Sequence, residues 1–271
     1  MTRWRAAALP DSKLAPTEIT VVPGFYDYAA NAPGVWHVNF SDPSLFVAYG
    51  SPLLAQDELQ AAEHPVLGSI REALLAEGQP ALTEEDGEPT PVLIAGAERR
   101  CTIATDPDPR AGRPYGLYGN RFAAASPDIV RRALTIHETP TRTNLICIAA
   151  PSGGYGPYTR EEIEVILLTA CTGFAAAVAE SRGAATEIGT GFWGCGAFGG
   201  NRRAMTLLQL LAARLAGVAR VRFHTADEWG TKDFRAGAAD LERVLAGTPP
   251  TAVVLDRIEN LEYEWGTSDG N

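Results

Sequence analysis

The sequence predicts an α/β fold, a three-layer sandwich with a mixed central sheet between two layers of helices. Short β-branched runs alternate with helix-patterned stretches along most of the chain, as in strands joined by crossover helices. The length of 271 residues suffices for one large hydrophobic core. A glycine-rich turn between a strand and a helix, at 188–216, is the kind of loop that holds ligands at the carboxyl ends of strands in such folds.

Taken in order, residues 1–34 are rich in proline and small residues, with one β-branched run at 19–22. They read as an arm packing on a single domain at 35–271. Residues 35–40 alternate as a strand does, and Ser41-Asp42-Pro43 ends it, because proline cannot donate to a ladder. Ser51-Pro52 has the form of an N-cap and first-turn proline, predicting a helix over 51–63 that stops at His64-Pro65, then a second over 66–76. The acidic, proline-bearing 83–90 is a surface loop. Strands are expected at 92–95 and 101–104, a long loop at 106–119, a helix at 127–134, a buried strand at 144–150, a glycine turn at 151–157 and a long helix at 159–181. The pattern closes with strand 185–188, the glycine loop, helix 202–216, strand 221–225, helix 234–245 and strand 252–255.

Hydrophobic residues are 45% and charged residues 21% of the chain, the composition of an ordinary globular domain. A net charge of −10 argues against nucleic acid as a partner, so an anionic ligand has to be held by a local site. Cys101, Cys147, Cys171 and Cys195 lie far apart, without metal-ligand spacing, and read as reduced thiols of a cytoplasmic protein. Residues 1–10 carry no apolar signal core, and no stretch reads as a membrane span, so neither a metal nor a membrane is expected. Oligomeric state is left open.

Residues 188–201 organise the functional reading. Six glycines interleave with Phe192, Trp193 and Phe198, so the backbone of Gly194, Cys195, Gly196 and Ala197 can approach a ligand while rigid rings close over it. The helix behind has Ala204, Leu208, Leu211 and Leu215 on one face. Its first-turn amides point back at the glycines, a favourable setting for a phosphate. The same glycines also suit tight packing with Trp193 and Phe198 in the core, and the loop by itself leaves both readings open. A second motif, Gln56-Asp57-Glu58, lies on the helix predicted from Ser51. Adjacent residues diverge by about 100° around a helix, so only one of Asp57 and Glu58 can aim squarely at a given ligand atom. Acids there are also ordinary partners of the helix dipole. His37, His64, His137 and His224 read as structural or surface residues, and Trp36 as core.

Together these segments resemble the poly(ADP-ribose) glycohydrolase family, whose catalytic domain is a macrodomain. Gly191-Phe192-Trp193-Gly194-Cys195-Gly196-Ala197-Phe198-Gly199-Gly200-Asn201 is close to the family's GNWGCGAFGGD. Val38-Asn39-Phe40-Ser41-Asp42 is similar to its VDFAN, Gln56-Asp57-Glu58 to its QEE, residues 115–122 to its YxGYAETY and residues 145–149 to its IVAID strand. The matches run in the family's order over about residues 35–225. The resemblance implies a macrodomain-like sandwich, no cofactor, and ADP-ribose or an ADP-ribosylated substrate as partner. It implies Glu58 as the general acid that protonates the leaving ribose oxygen and then activates water, with Asp57 and Asn39 beside it, Asp57 orienting substrate hydroxyls. For binding it implies Asp42, then Gln56 on a ribose or the adenine side, Tyr118 closing on the ligand, Phe192, Trp193, Gly194, Cys195, Gly196 and Ala197 wrapping the diphosphate, and Phe198 on the distal ribose.

The departures from the family pattern bear on activity. Phe46-Val47-Ala48 stands where the family has three glycines, Asn39 replaces an aspartate, and Asp57 is one methylene shorter than glutamate. Misplacement by about 1 Å costs on the order of 100-fold in rate. Three functions therefore stand: a glycosyl hydrolase with Glu58 as acid and base, a module that binds ADP-ribose without turnover, and an enzyme repurposed for another nucleotide-derived metabolite.

Overall fold

A computed structural model describes residues 1–6, 8, 9, 14–26, 28 and 32–270. Parts of the expected arm, at 7, 10–13, 27 and 29–31, lie outside the described residues. The chain begins with β1 (Thr2–Arg3), β2 (Glu18–Val22) and β3 (Val35–Ser41), followed by helices α1 (Gln56–Glu63) and α2 (Val66–Ala76). A small hairpin, β4 (Glu84–Glu85) and β5 (Glu88–Pro89), precedes the long strand β6 (Val92–Ile103). Then come α3 (Pro127–Ala133), β7 (Leu134–Ala149), α4 (Arg160–Glu180), β8 (Glu187–Thr190), α5 (Arg202–Ala216), β9 (Arg220–His224), α6 (Glu228–Leu245) and α7 (Thr251–Glu259).

Seven strands form one mixed sheet in the order β1-β6-β7-β3-β8-β9-β2. β7, β3, β8, β9 and β2 run parallel, whereas β6 and β1 add antiparallel pairs at one edge. The α/β sandwich read from the sequence is the observed class. The segment read as an arm supplies both edge strands, β1 and β2.

One face of the sheet packs on α4, α5 and α6. Ile163, Ile166, Leu167, Ala170 and Phe174 recur on one side of α4 at helical spacing and are buried. Thr159 caps that helix by accepting from the Glu162 amide, while Glu162 reaches back to the Thr159 amide at 2.8 Å. By length and apolarity α4 resembles a membrane span, yet most of it is inside the core. The other face packs on α1 and α2 through Leu45, Phe46, Ala61 and Leu67 against Val92, Ile94 and Leu145. Each of these side chains larger than alanine contributes roughly 1.5–3 kcal/mol on burial.

Several expectations fail locally, among them the loop at 83–90, which holds the β4–β5 hairpin, and the strand at 144–150, which begins at Leu134. α1 starts at Gln56, not at Ser51, because the Ser51 hydroxyl accepts from the Leu53 amide in a turn and residues 51–55 continue as irregular chain with bends. Leu54 and Gly119 exchange both backbone hydrogen bonds there, at 3.3 and 3.0 Å. The run 252–255 belongs to helix α7, whose buried Val254, Leu255 and Ile258 follow the helical period despite two β-branched residues. The strands expected at 92–95 and 101–104 are one strand, β6, interrupted by register shifts between Ile94 and Ala97 and between Arg99 and Cys101.

Candidate active site

The parallel strands β3, β8 and β9 end at Ser41, Thr190 and His224, and a cleft of about 960 Å³ opens there. Its walls bring together Asp42, Gln56, Asp57 and Glu58 from the α1 side, Tyr118, and the whole run from Gly191 to Phe198. Two segments that the sequence places more than 130 residues apart thus face one space.

The acidic wall is fixed by its hydrogen bonds. Gln56 Oε1 accepts from the Phe40 amide at 2.8 Å, and its Nε2 donates to the Val38 carbonyl at 3.1 Å. Gln56 therefore ties the first turn of α1 to β3, and its amide serves the fold where a ligand contact was expected. The Asn39 amide donates to Asp57 Oδ1 at 2.9 Å, and Ser41 Oγ donates to Asn39 Oδ1. This buried chain, Ser41 to Asn39 to Asp57, holds the acid in one orientation. Burial, above all, pushes Asp57 up to about 7, with the neighbouring Glu58 adding to the shift and the Asn39 hydrogen bond opposing it. Glu58 sits at the third helical position and accepts from the Ala55 amide at 3.1 Å, one half of a capping box without a capping hydroxyl. Burial raises its pKa, although the amides it faces favour the carboxylate. An acid that is anchored, nearly buried and shifted upward, on the wall of a cleft, has the properties of a proton donor.

The opposite wall is made of peptide groups. Gly194 has φ +76°, and a Cβ there would lie 2.6 Å from that of Ala150, so the turn demands glycine on both counts. The turn closes through Cys195 N to Phe192 O at 3.1 Å and Gly200 N to Gly194 O at 2.8 Å. Asn201 then caps α5 by accepting from the Arg203 and Ala204 amides. Both aromatics at the start of the loop turn inward. Trp193 is buried with its Nε1 donating to the Ile148 carbonyl at 3.0 Å, and Phe192 packs on Phe223. They anchor the loop from behind, so of the two readings that the sequence left open for the loop, Trp193 follows the core one. Phe198 is half-buried on the cleft wall, and Ala197 is exposed.

Tyr118 owes its place to the Leu54–Gly119 pair, which draws its segment alongside the entry to α1. Its hydroxyl meets the Gln56 backbone, and burial together with Asp269 and Glu58 pushes it up to about 12. Asp42 lines the cleft and caps the following turn, accepting from the Ser44 amide at 2.8 Å. Phe46, in place of the family's glycine, adopts φ +53° with its ring fully buried, leaving Val47 and Ala48 on the cleft wall. Their side chains narrow the cleft beside the acids.

Among the lining residues that sequence reasoning missed, three bear on the site. Phe25, 54% exposed, packs on Tyr118 with ring centroids 5.6 Å apart and tilted by 33°. Arg202 stands 5.0 Å over the Phe192 ring and brings a cation to the loop; as the first residue after the motif it was legible. Asp269 arrives from the far end of the chain. Among the described residues, no group of three or more His, Cys, Asp or Glu side chains is placed to hold a metal. The buried His37 and His64 are pushed down to about 3 and about 4 by desolvation and stay neutral.

Residues 115–233 match the family model of the poly(ADP-ribose) glycohydrolase domain with its macro domain fold. This part of the chain, less than half of its length, is similar to the poly(ADP-ribose) glycohydrolase family. It contains Tyr118, the glycine-rich loop and α5, while the acids of α1 lie before it. Among solved structures, the poly(ADP-ribose) glycohydrolase of Thermomonospora curvata bound to the inhibitor ADP-HPD is 20% identical, with a TM-score of 0.50 over 82% of this chain and 78% of that one. A second, the macrodomain of Oceanobacillus iheyensis with MES bound, is 12% identical, with a TM-score of 0.49 over 87% and 98%. The Deinococcus radiodurans poly(ADP-ribose) glycohydrolase in complex with ADP-ribose is 13% identical, with a TM-score of 0.48 over 83% and 86%. The first of these supports the macrodomain-type fold. No curated protein matches the chain.

Proposed function

We propose that the protein binds ADP-ribose, or an ADP-ribosylated substrate, and hydrolyses an O-glycosidic ribosyl linkage with Glu58 as acid and base. The observation that carries this is the shared cleft, in which the upward-shifted Glu58 carboxyl faces the backbone of Gly194 to Phe198. The diphosphate rests against the loop amides, with the start of α5 and Arg202 adding positive potential. The ribose then lies between Phe198 and the first turn of α1. Glu58 gives its proton to the leaving ribose oxygen as the bond from the anomeric carbon breaks and positive charge develops on the ring. The resulting carboxylate takes a proton from the water that attacks this carbon, which restores the acid. Asp57, held by Asn39, orients hydroxyls of the same sugar.

A second reading, binding without turnover, draws on Val47 and Ala48 beside the acids and on the hold of the Ala55 amide on Glu58. One pair of experiments separates the two. Calorimetry with ADP-ribose tests the pocket, and absence of binding at millimolar ligand removes both readings. Release of ADP-ribose from poly(ADP-ribosyl)ated protein, compared with Glu58→Gln, tests the chemistry. Release by the wild type alone supports hydrolysis, equal release by both rules out Glu58, and binding without release selects the module.

A further inference from the structure

The chain after α7 returns across the glycine-rich loop. Trp265 anchors it by stacking on Tyr158 at 4.5 Å, donating its Nε1 to Glu162 and its amide to the Gly156 carbonyl. The Asn201 amide, which caps α5 with its oxygen, donates its Nδ2 to the Glu264 carbonyl at 2.8 Å. From this anchor, residues 266–270 run over the loop in close contact. A Cβ on Gly199 would lie 3.1 Å from the Ser268 amide, and one on Gly266 would lie 3.2 Å from the carbonyls of Gly199 and Gly200. Asp269 N donates to the Gly196 carbonyl at 3.4 Å, and Asn120, next to Tyr118, donates its side-chain amide to the Gly270 carbonyl. The segment thus bridges the glycine wall and the Tyr118 segment. Its Asp269 carboxylate comes within 3.4 Å of the place a Gly196 Cβ would occupy, inside the cleft.

We propose that residues 266–270 form a self-made strap over the ligand loop, with the Asp269 carboxylate at the edge of the diphosphate position, so that an anionic ligand seats only when the strap moves aside. This deepens the ADP-ribose reading and rests on it. The argument is electrostatic and steric together. Gly196 lies in the stretch assigned to the diphosphate, and a carboxylate beside it repels a doubly charged group that must come equally close. The strap between Trp265 and Asn120 is composed of Gly266, Thr267, Ser268, Asp269 and Gly270, which bury no large apolar side chain. Little hydrophobic energy holds it in place, so a ligand of modest affinity can displace it.

Two variants test the strap: Asp269→Asn, and a chain ending at Trp265, which keeps the Tyr158 anchor. Calorimetry with ADP-ribose should give tighter binding by roughly tenfold for Asp269→Asn, and at least as much for the shortened chain, as expected from removing a like charge at short range. Adenosine, which lacks phosphates, should bind the wild type and Asp269→Asn equally. Independently of any ligand, amide hydrogen exchange at 195–198 should quicken in the shortened chain. Unchanged or weaker ADP-ribose binding by Asp269→Asn, or unchanged exchange at 195–198, overturns the strap. Failure of all three proteins to bind ADP-ribose overturns the functional reading, while the exchange rates still decide whether the strap covers the loop.

Discussion

On one wall of the cleft the groups proposed to act are side chains on a helix, Asp57 and Glu58. On the other they are peptide groups of a loop, Gly194 to Phe198, whose first aromatics point away into the core. The acidic wall is tuned by burial and by partners that can be exchanged one atom at a time, as in Ser41 to Asn39 to Asp57. The glycine wall is set by backbone conformation, which no side chain on the loop can repair once φ is disturbed. Substitutions on the first wall should therefore change chemistry and titration with the fold intact. On the second they should change affinity and stability together.

The sharpest separation is at Glu58. Glu58→Gln keeps the size and can still accept from the Ala55 amide, but has no proton to give; release should fall roughly 100- to 10,000-fold. ADP-ribose affinity by calorimetry should stay within about threefold. A matching loss of affinity would place Glu58 in binding and blur the two walls.

Asp57 carries a pH signature. Its folded-state value of about 7 lies above the ordinary carboxylate value of about 4, so the folded protein keeps a proton that the unfolded chain has released. Stability from this group is fully present below about pH 4 and declines as pH rises through about 7. His37 and His64 act with the opposite sign: their lowered values mean stability is lost as pH falls from about 6.5 towards about 4 and 3. Asp57→Asn removes the first dependence and leaves the second. By urea denaturation the variant should gain roughly 2–4 kcal/mol on the wild type between about pH 4 and pH 7.5. A difference independent of pH would mean that Asp57 is not held protonated.

Gly194→Ala acts on the backbone wall. The positive φ and the 2.6 Å approach to Ala150 should cost roughly 1–3 kcal/mol in thermal or chemical unfolding, with a loss of ADP-ribose affinity of about tenfold or more. Normal affinity in that variant would show that the loop shape does not govern the site. The smallest effect is expected for Trp193→Phe, which removes the hydrogen bond to the Ile148 carbonyl and should cost about 1 kcal/mol of stability while leaving affinity nearly unchanged. A large loss of affinity with stability preserved would restore Trp193 as a ligand-facing ring.

The parts legible in the sequence are those whose cause is local. The glycine loop needs positive φ at Gly194 and a cap at Asn201, and both lie within a dozen residues. The place of Glu58 on a helix was local too, whereas its role as an acid came only from the family resemblance; the α/β class followed from periodicity. Ser51-Pro52 misled because its hydroxyl closes a turn, while the pairing of Leu54 with Gly119, 65 residues on, holds the chain out of helix until Gln56. The run at 252–255 looked like a strand because two valines mask a helical period that only burial reveals. Phe25, Asp269 and the inward turn of Trp193 follow from long-range packing and have no local signature. At Phe46, a bulky residue holds a left-handed conformation because its ring fills the core under α1 and α2, and no propensity would suggest it.

The most direct test of the two-walled cleft is an NMR titration with ADP-ribose, following the amides of Gly194, Gly196 and Phe198 together with the side-chain carboxyl carbon of Glu58. The account predicts that both sets shift along one binding curve with one affinity. Movement of the loop amides with the Glu58 carboxyl unaffected at saturation would contradict it.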